Sequence, residues 1–191
     1  LRIGGHQIHC ITFDLDDTLW ECFPVIVRAE QVFFEWLESN YPSIAKDFDV
    51  ESLMLHRRQA FASFPEMAHD FTWLRKRWFT DLVIEYGCDT AKVEEGFAVF
   101  LKARNTVTIF EGVESLLEKV KAHYRCGSIT NGNADISMVG IDSYFDFEIT
   151  AAGAGAAKPD PIVFNAAIQA SAVLPENILW CKSSRHANCL D

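Results

Sequence analysis

The sequence predicts an α/β protein: a parallel sheet flanked by helices, interrupted by an all-helical insertion. Three observations carry this. Short apolar, β-prone runs at residues 8–13, 125–129, 144–150 and 178–181 flank or alternate with stretches of helical spacing. Strands that alternate with helices pair in parallel, because each crossover helix buries its apolar stripe on a face of the sheet. Between the first strand and this alternation, residues 20–106 carry helical patterns and no strand pattern, which marks an inserted cap domain. The core is therefore expected over residues 1–19 and 107–191, and the cap over 20–106.

The elements follow in order. Ile8 to Phe13 is a six-residue apolar strand that stops abruptly in an acidic loop. From Pro24 to Glu38, Val25, Val32, Phe33, Trp36 and Leu37 recur at helical spacing. Pro24 suits a first helical turn, where its missing N–H costs nothing. Residues 50–64, 70–86 and 90–104 read as three more helices, with breaks at Phe64-Pro65, Gly87 and Asn105. Val113, Leu116, Leu117 and Val120 mark an amphipathic helix, and Arg125 to Ile129 a strand that runs into Thr130-Asn131-Gly132-Asn133. A helix-like stretch at 134–140 precedes the strand Tyr144 to Thr150. A small-residue segment then leads to Lys158, a helix over Pro161 to Ala172 and the strand Ile178 to Cys181.

Composition narrows the function. At 191 residues the chain suits one domain, or a core with a modest insertion. Fifteen Phe and five Trp supply ample core material and exclude disorder. A net charge of -10 argues against a broad electrostatic grip on nucleic acid or an anionic membrane. A small anionic substrate then needs local cations or a metal. No apolar run approaches the ~18–20 residues of a membrane span. The first ten residues hold one Arg and no long apolar run, unlike a secretory signal. Six scattered cysteines without a CxxC pair suit a reduced, cytoplasmic protein.

The chemistry concentrates in Phe13-Asp14-Leu15-Asp16-Asp17-Thr18-Leu19. Open α/β sheets place ligand chemistry at the C-terminal ends of their strands. Clustered carboxylates repel one another and resist desolvation, and a divalent cation relieves both costs. The hard oxygen ligands favour Mg²⁺. One carboxylate could attack phosphorus while a neighbour exchanges protons with the leaving oxygen.

This D-x-D-x-T pattern resembles the first motif of the haloacid dehalogenase-like (HAD) phosphohydrolases. The resemblance implies a Rossmann-like core with a helical cap inserted after the motif. It also implies Asp14 as the nucleophile that forms an aspartyl-phosphate, Asp16 as general acid/base, and Thr18 as a loop support beside the substrate. Asp14's carboxylate and Asp16's main-chain carbonyl would bind Mg²⁺. The second motif, a Ser or Thr ending the next core strand, matches Thr130, with Asn131 and Gly132 beside the substrate. A hydroxyl and free backbone N–H groups ahead of a helix can hold phosphate oxygens. The third motif, a Lys before Pro, matches Lys158. Its ammonium would neutralise both nucleophile and phosphate.

The fourth motif departs from the pattern. The family places Gly-Asp after the strand that ends here in Trp180, but this chain has Lys182 and Ser183, with Asn188 where a second acid would fall. Three explanations are open: a frameshift or truncation, an inactive relative, or compensation by Asp17 or Asp191. Cys181, His186 and Cys189 could form a transition-metal site, but without a fixed fourth ligand a tail is the better reading.

Within the family the chain resembles bacterial flavin mononucleotide phosphatases, which also act on a phosphorylated ribitylaminouracil. The stretches ITFDLDDTLW, PVIVRAEQ, SITNGNA and YFDFEITAAGAGAAKPDP carry the likeness. In the cap, Trp73 and Arg77 lie four residues apart on one helix face, where they could stack on a ring and steer a phosphate; buried Trp and solvated cations are the plainer alternative. The expected partner is a small phosphate ester. The alternatives are a 2-haloacid dehalogenase using Asp14 without a metal, and an inactive phosphate-ester binder.

Overall fold

A computed structural model describes residues 1–182. After a short hairpin of β1 (Arg2–Ile3) and β2 (His6–Gln7), the chain enters β3 (Cys10–Phe13). Five helices follow: α1 (Cys22–Asn40), α2 (Pro42–Ala45), α3 (Val50–Phe61), α4 (Phe71–Glu85) and α5 (Val93–Arg104). Then come α6 (Val113–Lys121), β4 (Arg125–Thr130), α7 (Ile136–Val139) and β5 (Phe147–Thr150). The last elements are α8 (Ala151–Ala154), α9 (Pro161–Ser171) and β6 (Ile178–Cys181). The chain divides into two compact units, Phe23–Thr106 and the remainder on either side of it.

In the sheet unit four strands lie in the order β5–β4–β3–β6, all parallel. Every residue of β3 is buried, as expected for a central strand covered on both faces. Ile129 packs against Val163 and Ala167 of α9, with Phe147 and Ile149 beside it. Phe13 pairs with Ser128 and so points to the opposite face, where its ring meets Phe145 edge-on at 6.4 Å. Gly127 sits under the Phe147 ring, and a Cβ there would fall 2.3 Å from it, so the strand needs glycine at this point. Because Phe13 is also level with Cys181, the chain leaves β3, β4 and β6 at the same end of the sheet. That end gathers Asp14, Asn131 and Lys182 into neighbouring loops.

In the helical unit, Phe33, Leu37, Leu53, Trp78, Phe79, Leu82 and Phe100 form one core. Asp49 caps α3 reciprocally with Ser52, which fixes where that helix starts. Gly96 of α5 faces the Trp36 and Phe79 rings, where a Cβ would come within 2.5 Å of Trp36.

The expected helices and strands are present with shifted ends. The strand expected from residue 144 starts at Phe147, because Asp142–Tyr144 forms a 3₁₀ turn. The helix expected over 134–140 shrinks to four residues and stops at Gly140, whose φ of 86° is left-handed. The helix expected from residue 90 opens as a 3₁₀ turn and becomes α5 at Val93. The small-residue segment holds α8, capped by Thr150, whose hydroxyl accepts the Gly153 N–H at 3.0 Å. Among the described residues no helix is long and apolar enough to cross a membrane.

Candidate active site

The acidic loop is shaped by its two leucines. Leu15 and Leu19 are buried, and the Leu15 carbonyl accepts the N–H groups of Thr18 at 3.1 Å and Leu19 at 2.8 Å. This tight turn holds the leucines inward and leaves Asp14, Asp16, Asp17 and Thr18 half-buried. Asp17 adopts a left-handed φ of 58°, and its Oδ1 accepts the Cys22 N–H at 2.8 Å. Asp17 thus closes the loop onto the start of α1. That is a structural task, and it differs from the metal compensation weighed for it above.

Asp14 is anchored twice. Its N–H donates to the Cys181 carbonyl at 3.0 Å, and its Oδ1 accepts the Leu15 N–H at 3.0 Å. Lys158 Nζ stands 2.7 Å from the same Oδ1 and donates to the Ile129 carbonyl, also at 2.7 Å. Asp14 and Lys158 are both mostly buried, with side chains 15% and 17% exposed. Burial draws the Lys158 pKa below its ordinary value; Asp14 opposes this, and the nearby charge of Lys182 adds to it. Lys158 and Asp14 thus form one ion pair at the mouth of β3.

Asn131 takes a different part from the substrate contact expected of it. Its side-chain amide donates to the Lys158 carbonyl at 3.0 Å, and its Oδ1 accepts the Lys158 N–H at 2.7 Å. A two-way bond to one main-chain residue locks the Lys158 loop to the end of β4. Gly132 likewise differs from expectation: its N–H donates to Thr130 Oγ1 at 3.0 Å, closing a small turn rather than pointing outward. Thr130 is buried at the end of β4. The helix that follows offers no phosphate cradle of the kind expected. α7 has four residues, and Asp135 Oδ1 already accepts the N–H groups of Ser137 and Met138.

Asp16 has a partner that the sequence reading missed. The Trp20 indole Nε1–H donates to Asp16 Oδ1 at 2.9 Å. The contact depends on the tight turn between them, with its left-handed Asp17, which no helical spacing announces.

Trp73 and Arg77 belong to the helical unit. Trp73 is half-buried with its ring edge-on to Phe64 at 5.3 Å. Arg77 pairs with Asp81 at 2.6 Å and lies over the Phe64 ring. Ser183, His186, Asn188, Cys189 and Asp191 lie outside the described residues. Among the described residues no group of three or more His, Cys, Asp or Glu side chains is arranged to hold a metal ion.

The site thus holds an aspartate at the mouth of a parallel strand, its charge partly balanced by a lysine from a later loop. The sequence profile of the haloacid dehalogenase-like hydrolases matches residues 8–180. The chain belongs to that family. As a haloacid dehalogenase-like hydrolase it has relatives with two different named activities. It is 29% identical over 157 residues to the 5-amino-6-(5-phospho-D-ribitylamino)uracil phosphatase YigB of Escherichia coli (strain K12), covering 80% of this chain. The chain spans 66% of the length of that relative. It is 35% identical to a solved 2-haloacid dehalogenase from Pseudomonas syringae pv. Tomato DC3000, with a TM-score of 0.83 over 91% of this chain and 77% of that one. The L-2-haloacid dehalogenase of Xanthobacter autotrophicus shares the fold at 18% identity and a TM-score of 0.58, over 91% of this chain and 69% of that one.

Proposed function

We propose that this hydrolase cleaves small phosphate monoesters through an aspartyl-phosphate on Asp14. The supporting observation is the loop that presents two carboxylates differently: Asp14 against a lysine ammonium, Asp16 against a neutral indole. Asp14's carboxylate attacks phosphorus, and the bond from phosphorus to the ester oxygen breaks. Asp16 gives its proton to the departing alkoxide. Asp16, now ionised, takes a proton from water as that water attacks the phosphorus of the aspartyl-phosphate. Inorganic phosphate leaves and Asp14 is restored. Lys158 offsets the charge that gathers as a dianionic ester meets a carboxylate. Thr130 and Thr18 line the phosphate end of the site. Flavin mononucleotide and ribitylaminouracil phosphate are the first esters to try, given the relative named above.

The donor set suits Mg²⁺. Among the described residues, the contacts that the Asp14 carboxylate makes fall on Oδ1, which leaves Oδ2 for a cation. The Asp16 carbonyl is the second hard oxygen. Mg²⁺ commonly binds through one or two carboxylates together with substrate phosphate and water. When bound it supplies positive charge beside the phosphoryl oxygens.

The test is phosphate release from flavin mononucleotide and p-nitrophenyl phosphate, with and without Mg²⁺. Release that needs Mg²⁺ and falls at least ~10⁴-fold in Asp14→Asn is the expected result. Equal turnover by the variant refutes the nucleophile assignment. The second reading, a 2-haloacid dehalogenase, is favoured by the 35% identity to the Pseudomonas syringae protein. Asp16 speaks against it, because a halide leaving group needs no proton. Halide release without metal, and no phosphate release, decides for that reading.

A further inference from the structure

Asp16 must deliver a proton to one oxygen and take one from a water, and both transfers demand placement to within a hydrogen bond, about 2.6–3.2 Å. A carboxyl on a short side chain can rotate among staggered wells. Something has to hold it.

Trp20 meets that need. Its indole N–H donates to Asp16 Oδ1 at 2.9 Å, and its ring is fully buried. Its backbone is fixed from two sides: it is bridged to Asp16 and to Ile109, and the neighbouring Leu19 carbonyl accepts the Phe110 N–H at 2.9 Å. A large buried ring held this way cannot swing. Its one polar atom is also committed, because a buried indole N–H left without a partner costs about 1–3 kcal/mol. A tryptophan here does what a phenylalanine could not: it fills the space and aims a donor at the carboxyl.

We propose that Trp20 is the positioning residue for Asp16, fixing the plane of its carboxyl so that proton transfer to the ester oxygen is in register. This rests on Asp16 being the proton donor of the reaction proposed above. The consequence depends on the leaving group. An alkoxide cannot leave without a proton, whereas p-nitrophenolate can. Misplacing Asp16 should therefore slow alkyl esters selectively.

Trp20→Phe keeps the ring and removes the N–H. With Mg²⁺ present, kcat/KM for flavin mononucleotide, an alkyl ester, should fall about 10–100-fold, part of the ~10²–10⁴-fold that general acid catalysis contributes. For p-nitrophenyl phosphate it should fall less than about 3-fold, because its leaving group needs no proton. Equal loss on both esters marks a merely structural role and overturns the proposal, as does no loss on either. A second measurement stands apart from turnover. In ¹H–¹⁵N spectra the indole signal that vanishes in Trp20→Phe should move in Asp16→Ala, while the signals of the other tryptophans stay in place. An unmoved Trp20 signal overturns the proposal whether or not the protein hydrolyses anything. If no ester is turned over but the signal moves, the positioning contact stands and the phosphatase reading falls.

Discussion

Glu30 in the helical unit and Asp14 in the sheet unit each face a cation at 2.7 Å, yet the two pairs are built for different ends. Glu30 is 2% exposed and binds Arg75 through both oxygens, at 2.7 and 2.8 Å, with Arg57 as a second partner at 3.3 Å. Arg75 in turn lies against the Phe100 and Phe33 rings. Both oxygens of that carboxylate are engaged. Asp14 spends one oxygen on its lysine and sits at the open end of a strand. The contrast separates a pair whose carboxylate is fully engaged from one whose described contacts leave an oxygen open. Burial acts against the charged form in both units, but only in the helical unit do the partners saturate it.

The largest effect should come from breaking the saturated pair. Glu30→Gln leaves Arg75 charged and buried without its counter-ion, and should lower stability by roughly 3–5 kcal/mol in urea unfolding. Asp14→Asn should cost less, below about 3 kcal/mol, because that pair is only partly buried and Lys158 keeps its bond to the Ile129 carbonyl. If the two losses are equal, the distinction between the pairs fails.

The pH dependence sharpens it further. Burial alone would raise the Glu30 pKa, but Arg75 and then Arg57 outweigh it and hold it below 4.5, its ordinary value. A depressed carboxyl stabilises the fold fully above the unfolded pKa and loses that contribution as pH falls through the folded one. The wild-type advantage over Glu30→Gln should therefore be constant near neutrality and shrink below about pH 4. An advantage that grows on acidification would mean that burial wins. The smallest effect is expected from removing both partners. Glu30→Leu with Arg75→Met should return to within about 1 kcal/mol of the wild type, because packed apolar groups replace a buried pair well and Arg57, less buried, can turn to water.

Much of the sheet unit was legible because its signals are local. A short apolar run that stops at Asp14-Leu15-Asp16-Asp17-Thr18 announces a buried strand and an acidic loop, and Lys158 before Pro159 matched a known pattern. The roles of Asn131, Gly132 and Asp17 were read less well. Each lies in or beside the site, and sequence cannot say whether the Asn131 and Asp17 side chains or the Gly132 N–H point at a ligand or at the groups that shape the loop. Asn131 turned to the Lys158 main chain, 27 residues away. Trp20 escaped notice because a tryptophan after an apolar residue reads as core, and its one polar atom shows only when the ring has a fixed orientation. Glu30 gave no warning either. A glutamate on an amphipathic helix is ordinarily solvated, and its burial depends on two arginines from α3 and α4.

By itself the sequence determined the strand–helix alternation, the helical insertion and the identity of the acids, because periodicity and local residue chemistry act over a few positions. The tertiary structure alone decided which groups each loop residue meets, which carboxylate keeps an oxygen in reserve and which is sealed. Those outcomes depend on register between strands and on contacts across tens of residues, where a shift of one position turns a side chain to the opposite face.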